Sequence, residues 1–599
     1  MLRRRTLFGR QQRQQGRQSI HRHFLLLVKD QKLPFHAKTL ALDMSTDGRT
    51  VAHDGFDAQI VEPEIIRAWS AAHRSLMRGV ARLFPVGAMV AAFFRGCQTG
   101  SVRQLIGQQA KGLSVTQPDT IALSDRLTIR RALVGLWQVA DIEKDGDIID
   151  PQVGANHLAA YAEAGFDTFD MADHYGTAEI ITGALLARDV EATVCTKWCP
   201  VPGPMTADVV RAGVQDRLDR LGVERVDLLQ FHWWSFEHPA WLDALHEMAK
   251  LRDEGLIGEI GLTNFDAAHL HLALADGVPI VSNQVPCSLL DRRATGPLSE
   301  VCAQWGVKLL CYGTLQGGFL SERWLGQPEP TEITDWSKMK YKRFIDTAGG
   351  WDAYQTVLQA AAEVAAKHGV SIANVATRWV LEAETVAGVI IGARLGEARH
   401  SDDNLKLFQF ALDSEDHARL NSAFEATTPL PGDCGDEYRK PPFLTASGDL
   451  SHHLDTMPSA MTVEDVPNRP GEKRVLSGSE WEDIAGYCRA HRIGDRILVS
   501  GTTATAGVDR AVAPKDAGAQ TTFVLDKISA ALTALGASME DVVRTRVYLS
   551  DAEDVVAVSH AHGRVFADIK PANTLFQIGQ LIGDYKVEIE AEAIIRPRS

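Results

Sequence analysis

Phe169-Asp170-Met171-Ala172-Asp173-His174-Tyr175 is the stretch on which the interpretation of this chain depends. It follows a short run with strand character and precedes a small residue, Gly176. A carboxylate and a phenol placed just past a strand can both point into the mouth of an α/β fold. A cation close to Tyr175 would lower the phenol's pKa from its ordinary value of about 10 and make it a usable proton donor. The stretch therefore predicts a proton-transfer site, provided that the fold brings a lysine beside Tyr175.

Short apolar runs alternate with helical patterns through the middle of the chain. Such alternation predicts βα units, and eight of them within roughly 300 residues indicate a (β/α)8 TIM barrel rather than an open sheet. No GxGxxG motif follows any of these runs, which argues against a Rossmann domain. The predicted strands are Ala132–Val139, Phe166–Met171, Val194–Trp198, Val226–His232, Ile257–Thr263, Pro279–Gln284, Val307–Gly313 and Val386–Ile391.

One of the intervening helices has signals at both ends. Thr206 is a suitable N-cap and Gly222 a suitable C-terminal stop, so the pattern predicts a helix between them. The stripe predicted for its buried side consists of Val209, Val210, Val214, Leu218 and Leu221.

Polar residues stand at the carboxyl ends of successive predicted strands, where barrels of this kind carry their chemistry. Asp170 and Tyr175 follow the second strand, Lys197 lies near the end of the third, and His232 ends the fourth. Each alone has a structural explanation, such as a snorkelling lysine or a satisfied core histidine. Together they predict one proton-transfer site, in which Asp170 pairs with Lys197 and Lys197 lowers the pKa of Tyr175. Tyr175 then gives or takes a proton, while His232 orients a carbonyl oxygen.

In these motifs, residues 125–428 resemble the aldo-keto reductase family. The segment Asp170–Gly176 matches the family's D-x-A-x-x-Y-G motif, Thr196-Lys197 matches its T-K, and His232 matches its strand-four histidine. The resemblance implies reduction of aldehyde or ketone carbonyls by hydride transfer, with a tyrosine as proton donor. It also implies a catalytic tetrad of Asp170, Tyr175, Lys197 and His232.

The same resemblance implies a nicotinamide cofactor bound on the barrel. Gly261–Phe265 resembles the G-[VILM]-[ST]-N-F motif that holds the carboxamide, and Asn283-Gln284 resembles an N-Q pair whose glutamine does the same. Tyr312 stands where an aromatic ring stacks on the nicotinamide, and Gly392–Arg394 resembles the segment that binds the adenosine phosphate. The residues implied to bind cofactor are Thr263, Asn264, Gln284, Tyr312, Gly313, Leu315, Gly392, Arg394, His400 and Asn404.

NADP(H) is the expected cofactor, with NAD(H) as the alternative. The family usually places a basic residue about four positions before the asparagine that meets the adenine, where it contacts the 2′-phosphate. Here His400 stands at that position, with Arg399 beside it. Arg394 is the other candidate for this charge-assisted contact.

Substrate selection in such barrels is a property of the loops. The aromatic residues near the strand ends predict a wall that favours apolar or aromatic carbonyl substrates, although some of the tryptophans are expected to pack between helices. The predicted pocket residues are Trp137, His174, Trp198, Trp233 and Trp234.

Composition and charge place the chain among soluble proteins of several domains. Its net charge of −15 argues against general nucleic-acid affinity. The eight cysteines include one CxxxC pair, Cys195 and Cys199, so neither a zinc site nor a disulfide framework is predicted and no metal is expected. The apolar run Leu83–Phe94 is too short to cross a bilayer. We expect no membrane partner and a reducing, cytoplasmic location.

The domain boundaries are predicted from changes in composition and in the pattern of apolar residues along the chain. Residues 1–120 are predicted to be a disordered extension or the result of a wrongly assigned start, with organellar targeting by the Arg-rich first 29 residues as the alternative. Residues 121–428 are predicted to form the barrel. Residues 429–468, rich in Pro and Gly, are predicted to be a linker, and residues 469–599 a second domain.

The last domain shows an α+β pattern that resembles the Rid (RidA/YjgF) family of enamine/imine deaminases, which has a chorismate-mutase-like fold. Tyr487 matches the family's active-site tyrosine and Glu588 its acid. The predicted elements are the strands Arg496–Gly501 and Asp541–Leu549, the helices Ala519–Leu535 and Asp554–Phe566, and two closing strands. The matching segments are Val499–Gly501, Gln520-Thr521, Leu535–Ser538, Val547–Leu549 and Val587–Glu590.

One position departs from the Rid pattern. Asn573 stands where the family has the arginine that binds a substrate carboxylate. Because the bidentate clamp is missing, deamination of amino-acid-derived enamines is not expected. The domain then takes an uncharged substrate or serves in assembly. Rid domains form trimers with sites between subunits, so the resemblance implies a homotrimer with the barrels arranged around it.

The leading expectation is an NAD(P)H-dependent reductase of small carbonyl compounds, fused to a Rid-like assembly or accessory domain. One alternative is a cofactor-binding scaffold or sensor with little turnover, against which the complete tetrad argues. Another is a bifunctional reductase and enamine/imine deaminase, against which Asn573 argues. Nuclease activity, sometimes attributed to Rid proteins, is disfavoured by the acidic composition.

Overall fold

The computed structural model of this protein describes residues 117–139, 149–396, 400–439, 458–507 and 509–596. The predictions made for residues 1–116, including the disordered extension, the targeting alternative and the run Leu83–Phe94, lie outside these ranges. Residues 440–457 of the predicted linker lie outside them as well, whereas residues 429–439 and 458–468 are described.

The described strands fall into a barrel set and a C-terminal set. In chain order they are β1 (Thr120–Ala122), β2 (Thr128–Arg130), β3 (Ala132–Gly135), β4 (Thr168–Asp170), β5 (Thr193–Trp198), β6 (Val226–His232), β7 (Ile257–Thr263), β8 (Ile280–Pro286), β9 (Lys308–Tyr312), β10 (Val386–Gly392), β11 (Thr462–Asp465), β12 (Lys473–Leu476), β13 (Ala490–Ile493), β14 (Arg496–Thr503), β15 (Thr505–Ala506), β16 (Arg510–Ala511), β17 (Val542–Leu549), β18 (Ala572–Gln577) and β19 (Val587–Ile594).

The helices follow the barrel strands and cover the C-terminal sheet. In chain order they are α1 (Pro151–Glu163), α2 (Ala178–Leu186), α3 (Ala207–Leu221), α4 (Ala240–Asp253), α5 (Ala267–Ala275), α6 (Pro297–Trp305), α7 (Trp336–Thr347), α8 (Gly350–His368), α9 (Ile372–Leu381), α10 (Ser401–Leu405), α11 (Ser414–Glu425), α12 (Asp436–Arg439), α13 (Glu480–Ala485), α14 (Ala517–Ala534) and α15 (Val555–Phe566).

Strands β3 to β10 form a closed parallel barrel. Each strand pairs with the next, and β10 closes the ring on β3 with Val389 opposite Ala132 and Gly392 opposite Gly135. The predicted α/β class and TIM barrel are thereby confirmed. The first predicted strand is too long, because Trp137–Val139 forms a 3-10 turn in which Val139 N donates to Leu136 O.

Helix α3 shows how local signals position an element. Thr206 Oγ1 accepts a hydrogen bond from Val209 N, and Gly222 ends the helix at φ 66°, in the left-handed region where glycine carries no Cβ penalty. Val210 and Val214 are buried as predicted, but Val209 is 43% exposed. The prediction for Val209 was wrong because adjacent helical residues point about 100° apart.

The C-terminal domain is a seven-stranded sheet in the order β11-β12-β13-β14-β19-β17-β18. Helix α14 packs against β14 and β19, and α15 packs beside it. Along β19, Val587 and Ile589 are buried, whereas Glu588 and Glu590 alternate with them on the opposite face. The predicted α+β domain is confirmed, with one face of its sheet covered by helices.

Two further features bear on the predictions. Among the described cysteines, Cys195, Cys199 and the five others are free thiols. None of the described helices combines the length and apolar character needed to cross a bilayer.

Candidate active site

A cavity of about 740 Å³ opens at the carboxyl ends of the barrel strands. Its volume is typical of small-molecule and cofactor sites. Most of the residues predicted to form the site line it: Trp137, Asp170, His174, Tyr175, His232, Trp234, Asn264, Gln284, Tyr312, Gly313, Leu315, Gly392, Arg394 and His400.

Asp170 and Lys197 form a buried ion pair at the base of this cavity. The two residues lie at the ends of adjacent parallel strands, which brings their side chains together. Lys197 Nζ donates to Asp170 Oδ2 at 2.8 Å and to Met171 O at 2.9 Å. The other carboxylate oxygen, Asp170 Oδ1, accepts from Gln230 at 3.0 Å and from Gln284 at 2.7 Å. Each carboxylate oxygen therefore has a donor despite its burial.

Tyr175 lies above this pair, with Lys197 Nζ 5.0 Å from the centre of its ring. Burial raises the pKa of Tyr175 above its ordinary value and outweighs the attraction of Lys197, which lowers it. The net direction is opposite to that expected from the lysine alone. For Lys197, burial favours the neutral amine, but Asp170 and Tyr175 oppose it and together hold the pKa above its ordinary value. At neutral pH the site therefore contains a protonated phenol beside an ammonium ion.

His232 borders the cavity as a neutral imidazole. Burial lowers the pKa of His232 well below its ordinary value, and the nearby Arg439 lowers it further. Its ring packs edge-on against Trp234, with centroids 4.4 Å apart, and against Tyr438 at 5.7 Å. Its Nε2 is buried without a hydrogen-bond partner among the described residues. A buried polar atom left unpaired costs free energy, so this nitrogen is available to a ligand oxygen.

The end of β7 carries the loop implied to hold the carboxamide. Asn264 has a φ of 58°, in the left-handed region that residues other than glycine rarely adopt. Three contacts fix it: Asn264 N donates to Gln284 O at 2.8 Å, Tyr312 Oη donates to Asn264 Oδ1 at 2.9 Å, and the Arg439 guanidinium donates to Asn264 O at 2.6 Å. The neighbouring Thr263 Oγ1 is buried without a partner in the described part of the chain.

The unpaired Thr263 hydroxyl and the nearby side-chain amides of Asn264 and Gln284 fit a nicotinamide carboxamide. Thr263 offers a hydroxyl, and Asn264 and Gln284 offer amides at the same end of the cavity. A carboxamide has both a donor and an acceptor, which such a set can satisfy. Thr263 would hold it from beneath the loop, since it is buried rather than part of the cavity wall.

Basic residues line the other end of the cavity, where the phosphates are implied to bind. Arg394 Nη2 pairs with Asp335 at 2.8 Å, and Lys338 Nζ pairs with the same carboxylate at 2.9 Å. Arg394 and Lys338 both border the cavity and offer N–H donors of the kind that bind phosphate. His400 borders the cavity, Arg399 lies outside the described residues, and Asn404, on α10, does not line the cavity.

Trp198 and Trp233, predicted as pocket residues, lie in the core instead. Trp198 packs against Gly213 of α3, and Trp233 stacks on Phe231 with centroids 5.6 Å apart. Successive residues along a strand point to opposite faces, so each tryptophan points away from the side of the strand on which its neighbour, Lys197 or His232, lies. Trp137, His174 and Trp234 do line the cavity.

The sequence motifs did not indicate three residues at or near the cavity: Lys340 and Tyr438 line it, and Arg439 contacts Asn264 beside it. Tyr438 Oη lies 3.1 Å from Tyr312 Oη and accepts a hydrogen bond from Lys340 Nζ. Arg439 donates to Trp233 O at 3.0 Å and to Asn264. The Pro- and Gly-rich surroundings of residues 436–439 favoured a linker. The Glu-Tyr-Arg run within them was the available signal that this segment folds back onto the barrel.

Asp173 organises the loop that carries Tyr175. Its Oδ1 accepts from His174 N at 2.8 Å, and its Oδ2 accepts from Cys199 N at 2.7 Å. Asp173, His174 and Cys199 are residues of metal-binding types, with ligand atoms within 4.8 Å of one another. Both carboxylate oxygens are already engaged within the protein, so the cluster fixes the loop, and the His174 ring packs edge-on against Tyr175.

Two of the residues predicted for a Rid-like site, Asn573 and Glu588, do not meet within one chain. Tyr487 Oη accepts from Arg489, and Asn573 Oδ1 accepts from Thr545 Oγ1 at 3.3 Å. Glu588 pairs across the sheet with Tyr548, and Tyr548 with Phe576, so Glu588 and Asn573 lie on opposite faces of the sheet. Strand spacing separates them by roughly 14 Å.

Two protein families match this chain. The profile of the aldo/keto reductase family matches residues 133–425, and the profile described as endoribonuclease L-PSP matches residues 478–595. The first covers the barrel strands and most of the cavity lining, and the second covers most of the C-terminal sheet.

Individual relatives match one part or the other. An aldo-keto reductase of Mycobacterium sp. (strain JLS) is 27% identical over 51% of this chain and 94% of its own length. An uncharacterized protein of Streptomyces coelicolor is 38% identical over 20% of this chain and 90% of its own length. The flagellar radial spoke protein 5 of Chlamydomonas reinhardtii is 32% identical over 27% of this chain, but the match spans only 34% of that protein.

Proposed function

Since residues 133–425 belong to the aldo/keto reductase family and residues 478–595 to the endoribonuclease L-PSP family, we propose that this chain is an NADPH-dependent reductase of aldehydes or ketones. The observation that carries the proposal is the buried Asp170–Lys197 pair beneath Tyr175, beside the unpaired Nε2 of His232. A purely structural role for the ion pair would not account for a phenol and an unpaired imidazole nitrogen beside the same cavity.

Positioning comes first in the proposed mechanism. When bound, the nicotinamide cofactor supplies the hydride. Thr263, Asn264 and Gln284 hold the carboxamide and so orient the ring, while Arg394 and Lys338 neutralise phosphate charge at the far end of the cavity. His232 binds the substrate's carbonyl oxygen through Nε2 and aligns the carbonyl carbon with the ring.

Tyr175 is the proton donor in the proposed mechanism. Its raised pKa keeps the phenol protonated at neutral pH, so it can donate the Oη proton to the oxygen on which negative charge develops. The Lys197 ammonium then faces the phenolate and stabilises it. Asp170 keeps Lys197 charged and in place.

The cavity wall favours a substrate with an apolar or aromatic body. Trp137 packs edge-on against Tyr175, with centroids 5.0 Å apart, and Trp234 packs against His232. Aromatic faces on both sides of the reacting groups bind flat apolar groups best. Benzaldehyde-like compounds are therefore the proposed substrate class. NADPH is the proposed cofactor because the basic residues Arg394, Lys338 and His400 border the cavity.

A panel of carbonyl compounds tests this function. Purified full-length protein is mixed with NADPH, and cofactor consumption is followed with aromatic and aliphatic aldehydes and with ketones. We expect turnover, fastest with aromatic aldehydes. NADPH binding without turnover across the whole panel would refute the reductase and favour the scaffold or sensor.

Assembly is the function proposed for the C-terminal domain. The sheet face opposite α14 exposes large apolar side chains, among them Leu498 at 37%, Phe576 at 48% and Ile594 at 40%. Apolar groups exposed on a sheet face favour association with another copy of the domain. We expect a homotrimer. Light scattering on the full-length protein and on the Phe576→Glu variant tests this, because a wild-type monomer would contradict it and dissociation of the variant would support it.

The deaminase alternative has less support. Asn573 lacks the charge needed to clamp a carboxylate, and it lies on the sheet face opposite Glu588 within a chain. We therefore expect no acceleration of 2-imino acid hydrolysis by the purified protein.

A further inference from the structure

Helix α14 of the C-terminal domain packs directly on the barrel, and both belong to one compact unit, residues 114–599. It meets the barrel at two places close to the active site. His269 Nε2 lies 3.0 Å from Asp526 Oδ2. Glu237 Oε1 accepts from Ser529 Oγ at 2.6 Å and from Thr533 Oγ1 at 3.1 Å.

His269 is held between two carboxylates. Its Nδ1 lies 2.6 Å from Asp266 Oδ2 of the barrel, and its Nε2 faces Asp526 of α14. The histidine side chain is 5% exposed. Because each ring nitrogen faces an acceptor-only group, both carry protons and the ring is an imidazolium. Burial works against this charge, but Asp266 and Asp526 prevail and raise the pKa of His269.

Asp266 connects this pair to the carboxamide loop. It lies two residues after Asn264 and caps α5, where its Oδ1 accepts from Ala268 N at 2.9 Å and from His269 N at 3.0 Å. Its Oδ2 is the oxygen that faces His269 Nδ1. The position of His269 therefore fixes the Asp266 carboxylate and, through it, the direction in which the chain leaves Asn264.

A second path joins the same histidine to Asn264. Phe236 lies flat on the His269 ring, with centroids 3.5 Å apart and planes 8° apart. The Arg439 guanidinium lies over Phe236 at 4.3 Å and donates to Asn264 O at 2.6 Å. The stack thus extends from the imidazolium to the backbone of the implied carboxamide-binding residue.

Asn264 needs such support. A left-handed conformation is less favourable than a right-handed one for residues other than glycine, and surrounding contacts keep it in place. Part of those surroundings is Asp526, which is supplied by the fused domain and not by the barrel.

We propose that the C-terminal domain holds the barrel's cofactor-binding loop in its binding conformation through Asp526, a positioning residue that acts through His269. The inference rests on the proposed cofactor site at Thr263 and Asn264. It gives the fusion a role within the reaction, because cofactor affinity then depends on a residue of the other domain.

Asp526→Ala in the full-length protein removes the contact, and Asp526→Asn keeps an acceptor oxygen without its charge. The matched control is Arg510→Gln. Arg510 donates a hydrogen bond of 2.7 Å to Asp276 across the same interface between the C-terminal domain and the barrel. Asp276 caps the C-terminal end of α5, away from the loop at Asn264. Two readouts are used: hydrogen exchange at the amides of residues 264–270, and NADPH affinity from quenching of tryptophan fluorescence. Thermal denaturation shows that each variant is folded.

We expect faster exchange at residues 264–270 in Asp526→Ala and a Kd for NADPH raised at least about fivefold, which is the lower end of ordinary coupling between sites. The turnover rate at saturating NADPH should stay within about twofold, since the reacting groups are untouched. Asp526→Asn should show a smaller change, and Arg510→Gln none at this segment.

Unchanged exchange at residues 264–270 in Asp526→Ala would overturn the inference, as would an equal increase in Arg510→Gln, because either result leaves Asp526 without a specific effect on the loop. Absence of NADPH binding by the wild-type protein would instead refute the proposed cofactor site. The exchange measurement, made without cofactor, separates the two failures.

Discussion

Replacing Lys197 with methionine tests the ion pair on which the site is built. Methionine keeps most of the apolar stem and removes the charge that lies 2.8 Å from Asp170 and 5.0 Å from the ring centre of Tyr175. Two losses follow from this one change: the buried carboxylate loses its counter-ion, and the phenolate formed by proton donation loses its cation.

The size of each loss follows from the geometry. Breaking a buried pair by removing one partner costs about 3–5 kcal/mol of folding free energy. We expect a value near the lower end, because Gln230 and Gln284 still donate to Asp170 Oδ1. For catalysis, a unit charge at 5.0 Å in a medium of effective dielectric constant about 20 contributes about 3 kcal/mol, on the order of a hundredfold in rate.

A double-mutant cycle separates the two effects. Urea denaturation gives the free energy of unfolding, and NADPH consumption with an aromatic aldehyde gives kcat/KM, for Lys197→Met, Asp170→Asn and the double variant. The double variant should recover most of the lost stability, since no unpaired charge remains in it, but none of the lost activity. Lys197→Met with turnover within about threefold of wild type would refute the reasoning, because the cation would then not act on the phenol.

Three further predictions concern other parts of the molecule. Arg394→Gln should raise the Kd for NADPH about tenfold and change that for NADH little, as measured by fluorescence titration, because one charge-assisted phosphate contact is lost; equal weakening of both cofactors would contradict a 2′-phosphate contact. The stability contributed by His269 should be fully present below about pH 6.5 and lost as pH rises through its raised folded-state pKa. Urea denaturation of wild type and His269→Gln across pH checks this, and a difference between them that grows with pH would contradict it. Trp198→Leu should lower stability by about 2–3 kcal/mol and leave the KM for the aldehyde unchanged, whereas Trp234→Leu should raise that KM several-fold; the reverse pattern would contradict the burial of Trp198.

The barrel could be predicted because its signals are local. Each strand is a short apolar run, and the polar residues Lys197 and His232 occur near strand ends in an order that only a barrel brings together. The same local rule explains the error at Trp198 and Trp233, since alternation along a strand sends a residue and its neighbour to opposite sides.

The contacts that the sequence did not reveal join distant segments. Arg439 meets Asn264 across 175 positions, and His269 meets Asp526 across 257. No periodic pattern or recurrent motif marks either pair, because the packing of elements that are far apart in the sequence sets their positions. The raised pKa of Tyr175 was missed for a related reason, since the depth of burial emerges only when the loops close over the strand ends.

The most direct test of the proposed reductase compares Tyr175→Phe with Tyr585→Phe, which makes the same chemical change outside the barrel. NADPH affinity and NADPH consumption with an aromatic aldehyde are measured on both full-length variants. We predict that Tyr175→Phe binds NADPH within about twofold of wild type but loses on the order of a thousandfold in turnover, since the proton donor alone is missing. Tyr585→Phe should match wild type in both. Turnover by Tyr175→Phe comparable to that of Tyr585→Phe would contradict the assignment of Tyr175 as the proton donor.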